Sequence, residues 1–227
     1  MEPNGWKLAP SDFGFIWEEC KRCFYLKVVG GFQRPQMPMP KVFTLIDSQM
    51  KTCFMGKRTE SVSPNMPNGT FEYAGKRVES VPIAVKGFST RCFIRGNFDT
   101  VVTFDDGSFG IIDFKTSQVK PEHVSLYARQ LQAYAHALEN PAEGKFGLKP
   151  VSRLGLLMFE PSQFSNDLGG GASLTGSLTW VELPRDNNAF LGFLADVLSV
   201  LDLPSPPEAS SSCSWCKYRE LSRRFSY

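Results

Sequence analysis

The chain has 227 residues, of which 42% are apolar and 21% charged, with a formal net charge of +2. These are globular proportions, and no run of about 18 apolar residues is present to span a bilayer. A charge so near zero excludes a globally cationic surface, so any nucleic-acid contact has to come from a local basic patch. The opening residues, MEPNGWKLAPSDF, show no basic stretch followed by an apolar one, which predicts a reducing cytoplasm in which the six cysteines are not disulfides. Behind Ser11 and Asp12 as caps, Phe13, Ile16, Trp17, Cys20 and Phe24 recur at helical spacing and predict a first helix over 11–28. After GGFQRPQMPMP, a second helix follows in which Val42, Leu45, Ile46, Gln49 and Cys53 share a face, ending near 56–60. Short strands are predicted over 71–85, then a hairpin over 95–117. Pro121 opens a long helix that ends before Pro141, VSRLGLLMFEP reads as a buried strand, and a Gly/Ser-rich insertion over 162–173 leads to a strand near 178–183. A last long helix covers 187–203, and PSPPEASSS bridges to the terminal CSWCKYRELSRRFSY. Helices bracket the strands, so the expected class is α/β or α+β, with a mixed central sheet covered on both faces. A single domain is expected, with its core over about 70–185, N-terminal helices over 11–60 and a C-terminal part over 187–227.

The hairpin raises a question of chemistry. Its two apolar runs each carry an aspartate, Asp99 and Asp113, and the second adds Lys115 two residues on. If Asp105, Asp106 and Gly107 form a three-residue loop with a left-handed glycine, Phe104 pairs with Ser108, and counting back sets Asp99 opposite Asp113. Opposed side chains on paired strands lie about 4.5–5.5 Å apart at Cβ, where two bare carboxylates repel, so a cation is expected between them. Period two puts Lys115 on the face of Asp113. A four-residue loop would instead separate the acids to opposite faces. Two carboxylates and a lysine at a strand end suit Mg²⁺ or Mn²⁺, which take oxygen ligands, polarise phosphate and acidify water.

The series G-N-F-D (Gly96, Asp99), I-I-D-F-K-T (Asp113, Lys115) and Q-L-Q-A-Y (Gln130, Tyr134) resembles the PD-(D/E)XK nuclease superfamily, specifically its RecB-like branch, which includes CRISPR adaptation exonucleases and AddAB-type nuclease domains. The resemblance implies a restriction-endonuclease-like fold. It implies that Asp99, Asp113 and the Phe114 carbonyl bind the metal, that Lys115 assists the water, and that Gln130 and Tyr134 contact the active site or the DNA strand. The family's further metal-site histidine on an early helix has no counterpart, because His123 and His136 lie downstream and read as helix-surface or packing residues. Asp47 or Glu60 are the acids near the second helix that could stand in.

Cys20 and Cys23 form C-K-R-C, and Cys213 and Cys216 form C-S-W-C, each with metal-clip spacing. Cys53 and Cys92 read as small core residues. The iron–sulfur subgroup of RecB-like nucleases resembles this pattern, which implies a [4Fe–4S] cluster, with tetrahedral Zn²⁺ as the alternative because two C-x-x-C pairs suit it equally. Lys21, Arg22, Lys217 and Arg219 flank the clips and could offset their charge. Either occupant would staple the chain's two ends together. The expected function is metal-dependent hydrolysis of DNA, on single strands or ends, in repair, recombination or foreign-DNA processing, beside helicase or CRISPR adaptation partners. The competing expectation is a noncatalytic DNA-binding or complex-building subunit that keeps the fold.

Overall fold

The structure is a computed structural model that describes residues 5–35, 38–118, 121–167, 169–223 and 225, with backbone alone at 121–123 and 125. Strand β1 (Trp6–Leu8) and a 3₁₀ turn (Pro10–Asp12) lead into helices α1 (Ile16–Glu19), α2 (Lys21–Gly30) and α3 (Lys41–Phe54). Strands β2 (Gly69–Ala74), β3 (Arg77–Glu79), β4 (Ile83–Ala84), β5 (Arg91–Asn97), β6 (Thr100–Phe104) and β7 (Phe109–Thr116) follow. Helix α4 (Pro121–Glu139) then separates β7 from β8 (Val151–Asn166) and β9 (Ala172–Leu183), and α5 (Asn187–Leu201) and α6 (Ser214–Arg223) end the order.

The main sheet has the order β2-β6-β7-β8-β9; it is antiparallel except for the parallel pair β7 and β8, which α4 connects as a crossover. Period-two alternation sends Val101, Ile111, Leu154 and Leu156 to a core roofed by α4 and α5. The opposite face, with Phe71, Val102, Ile112, Phe114 and Leu157, is closed by Met50 and Phe54 of α3. A smaller mixed sheet is built on β5, with β1 parallel to it and β3 and β4 antiparallel to it. Asp186 caps α5 by accepting from the Ala189 N–H at 2.9 Å. The mixed sheet layered between helices is the architecture expected of a restriction-endonuclease-like domain.

Three expectations are corrected. The first helix is not continuous over 11–28: Cys20 is extended (φ −163°, ψ 109°), ending α1 and capping α2. On α3, Met50 and Phe54 are buried while Val42, Phe43, Leu45 and Cys53 are exposed, so Cys53 is no core residue; Cys92 is fully buried as expected. The strands beside the Gly/Ser-rich insertion are longer than expected, β8 continuing to Asn166 and β9 beginning at Ala172. The β8–β9 pairing runs on through it, with Phe164 opposite Leu174 and Asn166 opposite Ala172, forming an exposed two-stranded arm.

Candidate active site and thiolate cluster

The turn between β6 and β7 is the three-residue loop that the sequence predicts. Phe104 N–H donates to the Ser108 carbonyl at 2.8 Å, and Gly107 takes the left-handed φ of +80°. Pairing runs from Thr103 with Phe109 to Thr100 with Ile112, so the next step in register is Asp99 with Asp113. Asp113 is 4% exposed under α4, whose Gln130 donates Nε2–H to Asp113 Oδ1 at 3.3 Å. The Lys115 ammonium sits against Asp113 Oδ2, an enclosed carboxylate oxygen. Asp99 Oδ2 accepts from the Phe114 N–H at 3.2 Å.

Burial, reinforced by the Asp99 charge, pushes the Asp113 carboxyl up to about 7 against the pull of Lys115. Burial works to lower the Lys115 ammonium, but the Asp113 charge outweighs it and raises the pKa. The Tyr127 ring covers the same ammonium at 4.6 Å from its centroid. Gln130 and Tyr134 share a helix face without sharing a partner. Tyr134 O–H donates to the Asn97 carbonyl at 2.6 Å, and its ring presses on Gly96, where an added Cβ would lie 3.1 Å from Tyr134 Cε1 and 2.9 Å from Pro10 Cδ. The glycine of G-x-x-D is thus a requirement of close packing just before Asp99.

The second helix supplies what sequence reasoning missed. Lys51 Nζ donates to both Asp47 Oδ2 and Asp99 Oδ1, at 2.8 Å each, and the two hydrogen bonds outweigh burial to raise its pKa. The only advance signal was the Asp47/Lys51 spacing of four on one helix. Glu60, in contrast, pairs with Arg58, which also grips Asp105 at the far end of the hairpin. Asp47, Asp99, Phe114 and Lys115 line one cleft of ≈ 480 Å³, with Met39 and Phe43 as its apolar wall. The His136 ring packs 5.9 Å from Phe190, and the His123 side chain and Arg224 lie outside the described residues.

At the other site, Cys20 caps α2 and Cys23 is in its first turn; Cys213 immediately precedes α6 and Cys216 is in its first turn. The two clips therefore present their sulfurs at helix N-termini, where negative charge is favoured. All four Sγ atoms lie within 4.8 Å of one another, and none is in a disulfide. Backbone hydrogen bonds from Ser210 and Cys23 outweigh burial to hold the Cys20 thiol down to about 7, whereas burial and the crowding thiols raise Cys216. Of the flanking cations expected to offset this charge, Lys21 folds onto the Trp17 ring and Arg22 donates to the Pro207 carbonyl. Arg34 instead donates Nη2–H to Cys213 Sγ at 3.4 Å.

A mixed sheet between helices, with opposed acids and a lysine where two strands meet a helix-borne glutamine, defines a nuclease fold of the metal-dependent kind. The chain belongs to the PD-(D/E)XK nuclease superfamily, whose family model matches residues 54–221. A solved structure titled "Crystal structure of SSO0001" is 18% identical, with 98% of this chain and 86% of that chain covered and a TM-score of 0.47. A search of curated proteins returns no match. Among the described residues, no helix is long and apolar enough to cross a membrane.

Proposed function

We propose that the chain hydrolyses DNA phosphodiester bonds with Mg²⁺ or Mn²⁺ held by Asp99, Asp113 and the Phe114 carbonyl, and that Asp47 supplies the third side chain in place of the family's histidine. The observation that carries this reading is the convergence of the Asp47 and Asp99 carboxylates and the Lys115 ammonium on one cleft, with the buried Asp113 carboxylate directly behind Lys115. The donor set is all hard oxygen, the kind Mg²⁺ and Mn²⁺ take. Such a cation polarises a phosphate oxygen and lowers the pKa of water. Lys115 holds the attacking water and balances charge gathering on the phosphate. Gln130 keeps Asp113 Oδ1 in place, and Tyr134 anchors the carbonyl of Asn97, two residues before Asp99.

Single strands or ends are the substrate the surroundings favour. Phe43 and Met39 border the cleft from one side, and Tyr127, with half-exposed Phe15 edge-on to it, covers Lys115. Unpaired bases can stack on such faces, whereas a duplex keeps its bases to itself. The RecB-like resemblance supports work in repair, recombination or foreign-DNA processing, beside helicase or CRISPR adaptation partners. One observation favours the second reading, a noncatalytic DNA-binding or complex-building subunit: Lys51 already neutralises Asp47 and Asp99.

Incubating the wild type and an Asp113→Ala/Lys115→Ala variant with labelled single- and double-stranded DNA, in Mg²⁺, Mn²⁺ or chelator, separates the two. Cleavage is expected from the wild type alone, with metal, and faster on single strands. Cleavage by both proteins overturns the assigned site. Binding without cleavage under every condition establishes the noncatalytic reading.

A further inference from the structure

We infer that the four-cysteine site is a mononuclear, tetrahedral zinc centre, and that the [4Fe–4S] cluster implied by the resemblance does not fit it. This inference is independent of the nuclease reading. It rests on the spacing of the sulfurs: Cys20 to Cys216 is 3.8 Å, Cys23 to Cys213 is 3.7 Å and Cys23 to Cys216 is 3.5 Å. A zinc ion bonded to four thiolates at about 2.3 Å puts them at the corners of a tetrahedron whose edge is about 3.8 Å. In a cubane each thiolate binds a different iron, so an iron–iron edge and two outward-radiating iron–sulfur bonds separate every pair. Those lengths exceed by a wide margin the 4.8 Å that encloses the whole set here. Admitting the cluster would push α2 and α6 apart and strain the contacts that bridge the two clips, Arg22 Nη1–H to the Pro207 carbonyl at 3.3 Å and Arg34 Nη2–H to Cys213 Sγ at 3.4 Å.

The symmetry of the clips supports a single ion. Each places one cysteine just ahead of a helix and the next in its first turn, so two equivalent pairs face one another. Four thiolates and Zn²⁺ carry a net charge of −2. The two helix N-termini and the Arg34 guanidinium, held by Glu19 and aimed at Cys213 Sγ, are placed to offset it.

The test is metal analysis of full-length protein expressed in medium supplemented with both iron and zinc and purified without oxygen, so that a cluster cannot be lost and replaced. One zinc per chain in a colourless protein is expected, with no iron uptake after incubation with ferrous iron and sulfide. Cobalt substituted for zinc should show the visible bands of a tetrahedral thiolate site. Four irons with matching sulfide and a band near about 400 nm overturn the inference, as does a protein that binds neither metal. Arg34→Gln is expected to leave the stoichiometry at one and weaken zinc retention against a competing chelator about tenfold, in the range usual for groups that hydrogen-bond a ligand. Unchanged retention would remove Arg34 from the site.

Discussion

Replacing Cys213 with serine tests how the molecule holds its two ends together. The thiolate cluster joins residues far apart in sequence: Cys23 and Cys216 are 193 positions apart. A cross-link closing a loop of that length removes about 18 cal/mol/K from the unfolded chain in the chain-entropy treatment, or about 5 kcal/mol at 25 °C. A metal clip acts on the unfolded chain in the same way while it stays bound. For a protein of this size each kcal/mol moves Tm by about 2–4 °C, so losing the clip is expected to lower Tm by roughly 10–20 °C. The assay is thermal unfolding by circular dichroism of the wild type, the wild type stripped of metal, Cys213→Ser, and Cys53→Ser, which changes an exposed cysteine outside the cluster. Stripping separates the loss of the clip from the cost of a serine at the fully buried position 213. Cys53→Ser should match the wild type. If metal release is complete and Tm moves by less than about 2 °C, the clip is not a staple and the entropy argument fails.

Three further outcomes follow from the acidic site. Lys51→Met is expected to tighten Mn²⁺ binding about tenfold by calorimetry, because an ammonium 2.8 Å from both Asp47 and Asp99 competes for the same oxygens; opposite charges about 4 Å apart at an effective dielectric of 20 exchange about 4 kcal/mol, and tenfold uses a third of that. Asp113 has its folded-state pKa raised from an ordinary 3.8 to about 7 without metal. The native state then keeps a proton that the unfolded chain has released, so this group's contribution to stability is full below about pH 4 and is lost as pH rises through about 7. Mn²⁺ has to displace the same proton, and its affinity is expected to be about tenfold weaker at pH 6 than at pH 8, with a flat profile overturning the assignment. Gly96→Ala, which drives a methyl into Pro10 and Tyr134, is expected to cost about 1–3 kcal/mol in urea unfolding; no change would show that the ring can move aside.

The hairpin was legible because two local rules agree on it. Asp-Asp-Gly selects a three-residue loop, the loop sets the register, and the period of two then fixes which face Asp113 and Lys115 share. Lys51 was not legible: an aspartate and a lysine four apart on a helix are an ordinary surface pair until α3 packs across the sheet and brings them to Asp99. The arm formed by β8 and β9 escaped for a different reason. Its backbone is paired, but both faces meet solvent, so no alternation of apolar and polar residues is selected and its Gly/Ser content carries no strand signal. The first helix misled because Cys20 fits the helical spacing of Phe13, Trp17 and Phe24, whereas its extended backbone breaks that helix and turns its sulfur toward Cys216.

The same contrast accounts for why carboxylates stand where packing calls for Val or Ile. Asp113 lies on the sheet face that carries Ile111, is paired with Leu156 and is roofed by α4, and burial holds its pKa well above that of a carboxylate in water. Its local partners do not repay that cost: Lys115 covers one oxygen, Gln130 reaches the other at 3.3 Å, and Asp99 opposes it. A sequence shaped by stability alone would remove the conflict with one apolar substitution. Local rules that agree on the strands and disagree on the residues within them mark a candidate functional site, and its chemistry, oxygen donors beside an ammonium, is what the proposed hard cation and anionic substrate require.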